Sequence, residues 1–157
     1  MSKVVRIAVD FDGTLVDHRY PEIGPEADHA FTWLRRLQEA GAMLLLWTMR
    51  SDGGSDGPVL TQAVEFCESR GITFDGVNEG PGDRSWTTSP KMYAHYYVDD
   101  AAFGCPTIER SWAHRPFVNW AIVGPALLRI VEKAMERTGI QNAPTVADNI
   151  DAAAADA

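Results

Sequence analysis

Residues 4–14 read VVRIAVDFDGT, an apolar run that ends abruptly in two carboxylates and a Gly-Thr turn. The run from Val4 to Val9 is short and rich in β-branched residues, which predicts a buried strand. Asp10 and Asp12 follow it directly, two residues apart, so both carboxylates can converge on one ligand. Carboxylates that close repel each other unless a cation or a shared proton lies between them. The stretch therefore predicts a strand that delivers a pair of acids to a binding site.

The rest of the chain alternates between short apolar runs and segments with apolar residues at helical spacing. The short runs predict further strands over residues 43–47, 72–77 and 96–98. The helical spacing predicts helices over residues 26–39, 59–70 and 124–137, and we expect a short helix around residues 91–95. Strands that alternate with helices are typical of an α/β fold, so we expect a Rossmann-like domain with a mostly parallel central sheet flanked by helices. Ligands of such sheets bind outside the carboxyl ends of the strands.

Length and composition are those of one globular domain. The chain has 157 residues, of which 45% are hydrophobic and 23% charged, and soluble domains average about 45–50% and about 25%. We place a single domain at residues 1–138. Residues 139–157 are rich in Ala and Asp and lack sustained apolar periodicity, which predicts a flexible tail. The net charge of −8 argues against tight binding to long nucleic acid.

The sequence also predicts a cytoplasmic protein without a membrane segment. The longest apolar stretch, residues 42–47, is far shorter than the ~20 residues of a membrane-spanning helix. The first residues lack the apolar core of a secretory signal. Cys67 and Cys105 lie outside any metal-binding pattern, so we expect two reduced thiols. Oligomerisation is compatible with the sequence, but the residues favour no particular state.

A second pair of acids, Asp99 and Asp100, directly follows the strand predicted over residues 96–98. If that strand neighbours the first one, up to four carboxylates meet at one edge of the sheet. Such an oxygen-rich cluster suits Mg²⁺, which prefers hard oxygen ligands. Lys91, eight residues before Asp99, can supply a positive charge, and Thr48, at the end of the second strand, offers a hydroxyl to a phosphoryl oxygen. Apolar strands that run straight into the acids disfavour the alternative of a solvated acidic surface.

Four stretches of the chain together resemble the motifs of a known family, and they are VDFDGTLV (9–16), LLLWTMR (44–50), SPKMY (89–93) and YVDD (97–100). In this order they resemble the haloacid dehalogenase-like (HAD) phosphohydrolases. The chain is most similar to the small members that phages and bacteria often encode. The later stretch RPFVNWAIVGP is also similar to that group. The intervals between the motifs are too short for a separate cap domain, so the resemblance implies a capless member.

The resemblance implies a catalytic role for four residues. Asp10 would be the nucleophile that attacks phosphorus and forms an aspartyl-phosphate, which splits one hard displacement into two easier ones. Asp12 would be the general acid for the leaving oxygen and then the base that activates water. Thr48 and Lys91 would hold the transferring phosphoryl group and neutralise its charge.

The resemblance likewise implies a ligand set for the Mg²⁺ cofactor. The ion would lie between the Asp10 side chain, the Asp12 backbone carbonyl and the acids of the fourth motif. Of those acids, Asp100 is the preferred direct ligand. Asp99 would bind either directly or through a water molecule.

Several residues close to the motifs are candidates for contact with the substrate. The planar guanidinium of Arg50 suits bidentate binding of a phosphate. Gly13, in the turn after the first two acids, belongs to the same predicted substrate-binding set. Residues 18–20 follow the first motif and can touch the substrate, and so can Arg84 and Trp86 in a long polar loop. We expect the substrate to be a nucleotide, a nucleic-acid terminal phosphate or a small phosphorylated molecule.

Two alternatives to a phosphatase use the same residues. One is a non-catalytic Mg²⁺-binding interaction protein on the same fold, which the complete set of motif residues disfavours. The other is a phosphotransferase that passes the phosphoryl group to an acceptor other than water. The lack of a cap to exclude water disfavours that reaction.

Overall fold

The computed structural model describes residues 4–82 and 85–138. The elements in chain order are β1 Arg6–Val9, α1 Ala30–Glu39, β2 Met43–Leu46, α2 Val59–Glu68, β3 Gly76–Val77, β4 Tyr96–Val98, β5 Thr107–Ile108, β6 Phe117–Val118 and α3 Trp120–Arg137. In these ranges, no helix combines the length and the apolar character needed to cross a membrane. The predicted tail at 139–157 and Arg84 lie outside the described residues, so the prediction for each stays a prediction.

The first four strands form one parallel sheet in the order β3-β2-β1-β4. This confirms the prediction of an α/β fold with a parallel central sheet and helices packed against it. In the sheet, Val9 of β1 is the partner of Leu46 on one side and of Val98 on the other. Because the strands are parallel, Asp10 and Asp99 leave neighbouring strands at the same edge.

The main core lies between one face of the sheet and the helices. Leu34 and Leu37 of α1 are fully buried in it, and burying a leucine side chain contributes roughly 1.5–3 kcal/mol. Helices α1 and α3 pack closely because position 124 is a glycine. A Cβ on Gly124 would lie 2.2 Å from Cγ of Trp33, so any side chain there would push α3 away from α1.

The segment predicted as a helix over residues 91–95 is not helical. Instead, Met92 is fully buried and packs with Ala8 and Leu45 on the other face of the sheet. The hydroxyl of Tyr97 bonds the backbone of this segment, since it donates to the Met92 carbonyl and accepts from the Ala94 N–H. A buried side chain and a tyrosine hydroxyl therefore replace the intrahelical hydrogen bonds of the helix that we expected.

Other boundaries differ from the predictions for local reasons. Helix α1 begins at Ala30 and not at residue 26, because the Ala27 N–H donates to the Leu15 carbonyl and His29 has a left-handed φ of 66°. The strand predicted over 72–77 is shortened to β3. Helix α3 begins four residues before the predicted start, and Pro125 lies inside it. The sequence analysis did not predict the antiparallel pair of β5 and β6.

Candidate functional site

Three carboxylates meet where β1 and β4 end. Oxygen atoms of Asp10, Asp99 and Asp100 all lie within 4.8 Å of one another. The Asp10 N–H donates to the Val98 carbonyl at 2.9 Å, which fixes the end of β1 against β4. The predicted convergence of acids from two strands is therefore present, because these strands are neighbours in the sheet.

Gly13 lets the chain approach Asp100 closely. A Cβ at Gly13 would lie 2.5 Å from Oδ2 of Asp100, and the Gly13 φ of 81° lies in the left-handed region that favours glycine. The Asp100 N–H also donates to Oγ1 of Thr14 at 3.3 Å. Gly13 was predicted to bind substrate, and the role that its geometry supports is to make room for the Asp100 carboxylate.

Three ionised carboxylates this close together repel one another when no cation lies between them. Burial, together with the charges of Asp99, Asp100 and Asp12, raises the pKa of Asp10 from 3.8 to about 7. Burial and the charge of Asp99 also raise the pKa of Asp100, although His18 and Arg115 act in the opposite direction. Hard carboxylate oxygens at this spacing fit a divalent cation such as Mg²⁺, which removes the repulsion between them.

The carboxylates lie in an open cavity of about 730 Å³. Six residues predicted to be catalytic, metal-binding or phosphate-binding line this cavity, and they are Asp10, Asp12, Thr48, Arg50, Asp99 and Asp100. Of the other candidates for substrate contact, His18 and Tyr20 line it, and Trp86 lines a different cavity. Met49 is almost fully exposed and Tyr20 is exposed at the rim, so the cavity combines a polar interior with an apolar rim.

A hydrogen-bonded turn positions Thr48. The Thr48 N–H donates to Oδ1 of Asn78 at 2.8 Å, and Oγ1 of Thr48 accepts from the Arg50 N–H at 3.2 Å. Since the hydroxyl accepts within the turn, its proton remains available to a ligand in the cavity. Asn78 lines the cavity at the end of β3 with a φ of 53°, a conformation that asparagine tolerates better than most residues. Sequence analysis missed this residue, although an asparagine after a strand was a possible signal.

Arg50 is committed to partners inside the protein. Its guanidinium bonds both carboxylate oxygens of Asp12, at 2.8 and 2.7 Å, and the carbonyls of Pro21 and Glu22, each at 2.9 Å. The Arg50 side chain is only 1% exposed and also lies over the rings of Phe11 and Tyr20. The prediction that Arg50 binds substrate phosphate does not fit this placement. The residue instead fixes the Asp12 carboxylate and the loop that contains residues 21 and 22.

Lys91 lies outside the cavity that contains the acids. It lines a separate cavity of about 290 Å³ with Trp86, and its Nζ lies 5.2 Å from the centre of the Tyr97 ring. The nonhelical course of residues 91–94 accounts for this position. In this structure, therefore, the predicted phosphate-binding lysine is not next to Asp10.

A basic residue that the sequence analysis missed, Arg115, lines the cavity together with His18. Buried Asp17 holds the segment around Arg115 in place, because its carboxylate accepts from the His114 N–H at 2.9 Å and from Nε of Arg19 at 2.9 Å. Burial opposes ionisation of Asp17, but these hydrogen bonds lower its pKa below the ordinary value. The signal that could have found Arg115 was its place at the start of RPFVNWAIVGP.

The C-terminal segment is also bonded directly to the turn after β1. The indole Nε1 of Trp120 donates to the Thr14 carbonyl at 2.8 Å, and the Val118 N–H donates to the Gly13 carbonyl at 3.0 Å. Trp120 is fully buried. These bonds bring the segment that contains Arg115 against the acidic site, although it is about a hundred residues away in the sequence.

Comparisons with known proteins show a similarity to a solved structure. A scan against protein-family models finds no match, and a search of curated proteins finds none. Among solved structures, the chain is similar to one described as "the conserved protein coded by locus from Bacteroides thetaiotaomicron". The two are 32% identical, the match covers 82% of this chain and 93% of that one, and the TM-score is 0.64. At that identity and coverage, the chain belongs to the same family as this conserved Bacteroides thetaiotaomicron protein.

Proposed function

We propose that this chain is a Mg²⁺-dependent phosphomonoester hydrolase of the capless HAD-like type, with Asp10 as its nucleophile. The observation that carries the proposal is the meeting of Asp10, Asp99 and Asp100 within 4.8 Å at the carboxyl edge of a parallel sheet. Thr48 lines the same cavity, as phosphoryl binding requires. In the described ranges, the loops between β1 and β3 contain one helix each and no inserted domain, which supports the capless type.

The acids supply the donor set for the metal ion. Asp10, Asp99 and Asp100 would hold Mg²⁺ through carboxylate oxygens, the type of ligand that this ion prefers. When bound, the ion would neutralise negative charge on the cluster and on the phosphoryl oxygens. The raised pKa of Asp10 supports this, since burial and the neighbouring carboxylates oppose its negative charge and a bound cation would offset them.

The first chemical step is assigned to Asp10. One of its carboxylate oxygens forms a bond to phosphorus, and the bond from phosphorus to the leaving oxygen breaks with its electron pair on that oxygen. A proton from Asp12 neutralises the leaving group, and this step requires Asp12 to leave its bidentate pair with Arg50, because both its oxygens accept from that guanidinium in this structure. In the second step water attacks phosphorus, a proton passes to Asp12, and the bond between Asp10 and phosphorus breaks to release phosphate.

The residues around the acids position these reactants. The bidentate pair with Arg50 fixes the carboxylate of Asp12 at the cavity wall. The hydroxyl proton of Thr48 can donate to an equatorial phosphoryl oxygen, which stabilises the charge that develops there. Lys91 lines a separate cavity, so we assign it no direct role in this conformation.

The test is release of phosphate from p-nitrophenyl phosphate, with and without Mg²⁺. We expect turnover that needs Mg²⁺ in the wild type and is lost in Asp10→Asn. Asp28→Asn is the matched control, because Asp28 forms an exposed pair with Arg110 away from the cavity. This variant should keep wild-type turnover.

A wild type without turnover calls for a second measurement. Beryllofluoride mimics an aspartyl-phosphate, so it should raise the melting temperature of the wild type in the presence of Mg²⁺ and leave Asp10→Asn unchanged. If the wild type shows neither turnover nor this stabilisation, the proposed hydrolase function is wrong. The non-catalytic, Mg²⁺-binding alternative then remains, provided that Mg²⁺ alone stabilises the protein.

A further inference from the structure

The cavity has an acidic floor, formed by Asp10, Asp99 and Asp100, and a basic wall on one side. The wall contains Arg115 and His18, and both act electrostatically on Asp100. The basic wall and the acids therefore face the same cavity.

Arg115 offers donors that the protein itself does not use. In residues 4–82 and 85–138, its exposed guanidinium forms no hydrogen bond and no ion pair, whereas the guanidinium of Arg50 bonds four acceptor atoms. The two arginines that line the cavity thus differ in function. Arg50 holds Asp12 and the loop at residues 21 and 22 in place, and the guanidinium of Arg115 is available to a ligand.

Buried Asp17 gives Arg115 a firm support. Both oxygens of its carboxylate accept from the His114 N–H, and one also accepts from Nε of Arg19. The buried side chain of Asp17 therefore holds the segment next to His18 and the segment next to Arg115. These bonds hold the backbone next to Arg115 beside the cavity.

The space beside this wall is larger than a phosphoryl group needs. A second cavity of about 590 Å³ shares His18 and Tyr20 with the first and is also lined by Arg19, His114 and Glu22. A ligand whose phosphoryl group lies at the floor can therefore extend past His18 into this space. Since Arg19 is paired with Asp17 and Glu22 adds a negative charge, an anionic group on the ligand is attracted chiefly by Arg115 in the first cavity.

Resting on the proposed hydrolase function, we propose that the substrate carries a second anionic group on the part that leaves, and that Arg115 binds it. The transferred phosphoryl group belongs at the floor with Asp10 and Thr48. A planar guanidinium with free donors suits a carboxylate or a second phosphate. Substrates of this class are phosphorylated hydroxy acids and bisphosphates, and esters of neutral alcohols are the poorer class.

The experiment compares esters that differ in the second anion. Phosphoglycolate is paired with 2-hydroxyethyl phosphate, and adenosine 3′,5′-bisphosphate with adenosine 3′-phosphate. The first pair tests a carboxylate and the second a phosphate. We expect the wild type to favour the member with the second anionic group in at least one pair, by about tenfold or more in kcat/KM, as a charge-assisted hydrogen bond would give. The Arg115→Gln variant should reduce that preference to about twofold or less, chiefly through a higher KM for that member.

Arg110→Gln is the matched control, because Arg110 lies on the same segment but pairs with Asp28 at 2.6 Å. It should keep the wild-type preference. The proposal is overturned if the wild type prefers neither ester that carries a second anionic group. It is also overturned if Arg115→Gln slows both members of a pair equally. Equal slowing would assign Arg115 to the transferred phosphoryl group.

Failure of the hydrolase function is distinguishable from failure of this inference. If the wild type hydrolyses none of the esters, calorimetric binding of the same pairs with Mg²⁺ present decides the inference. Binding of an ester with a second anionic group about tenfold tighter than its partner, lost in Arg115→Gln, supports an anion-binding role for Arg115. The absence of a preference, or one that Arg115→Gln leaves intact, overturns it.

Discussion

Replacing Asp10 by Asn should stabilise the metal-free protein, and more so at high pH. The pKa of Asp10 is raised from 3.8 to about 7 by burial and by the neighbouring carboxylates. Between those two values the folded protein keeps a proton that the unfolded chain has lost. The free energy of unfolding of the wild type therefore falls as the pH rises through this window, and the loss is complete above about pH 7.

The size of the effect follows from the same values. A difference of one in pKa corresponds to ~1.4 kcal/mol, so a rise from 3.8 to about 7 costs up to ~4 kcal/mol at about pH 8 and ~1 kcal/mol at about pH 4.5. Asp10 is partly exposed, and solvent reduces these figures. We expect Asp10→Asn to exceed the wild type by ~2–4 kcal/mol at about pH 8, and by ~1 kcal/mol or less at about pH 4.5.

The assay is urea unfolding in the presence of a chelator, followed by tryptophan fluorescence at both pH values. Asp28→Asn is the control, because its exposed ion pair with Arg110 should contribute at most ~1 kcal/mol. Addition of Mg²⁺ should stabilise the wild type and not Asp10→Asn, since ligand binding to the folded state raises its stability. Equal stability of the wild type and Asp10→Asn at about pH 8, without metal, would refute the view that the charges of the cluster oppose folding.

Two further substitutions test the support of the site. Arg50→Met should lower the free energy of unfolding by about 3 kcal/mol in chemical denaturation, because it leaves the Asp12 carboxylate without its bidentate partner; unchanged stability would contradict that role. Gly13→Ala should weaken Mg²⁺ binding at least about tenfold in calorimetry, because a Cβ 2.5 Å from an Asp100 oxygen displaces that carboxylate, and it should cost ~1–3 kcal/mol of stability through the strained φ. Wild-type Mg²⁺ affinity in Gly13→Ala would mean that Asp100 is not a ligand.

The floor of the site was predictable because its residues are set by local pattern. An apolar run followed at once by an acid is a strand end, and this holds for Asp10 and for Asp99. The remaining condition was that the two strands are neighbours, which parallel α/β topology favours and the sheet order confirms. Thr48 was placed in the cavity by the same reasoning.

The wall was not predictable in this way. Arg115 reaches the cavity because its segment bonds to Asp17, 97 residues before His114, and such a contact leaves no periodic signal in the sequence. The prediction placed Arg50 at the cavity correctly. It did not foresee the pair with Asp12, because that pair depends on the burial of Arg50 in the folded chain. The prediction for Lys91 also failed to foresee a packing contact. Met92 packs against the sheet and its segment is not the short helix that we expected, and Lys91 lines a separate cavity.

The separate origins of floor and wall have a consequence for how this site can be altered. The acids of the floor follow β1 and β4, whereas the groups of the wall are held by the carboxylate of Asp17. Under the proposed function, substitution at position 115 should change which esters bind without disturbing the acids assigned to the reaction. Selectivity could then be altered through a few residues about a hundred positions after the nucleophile while the proposed chemistry stays the same.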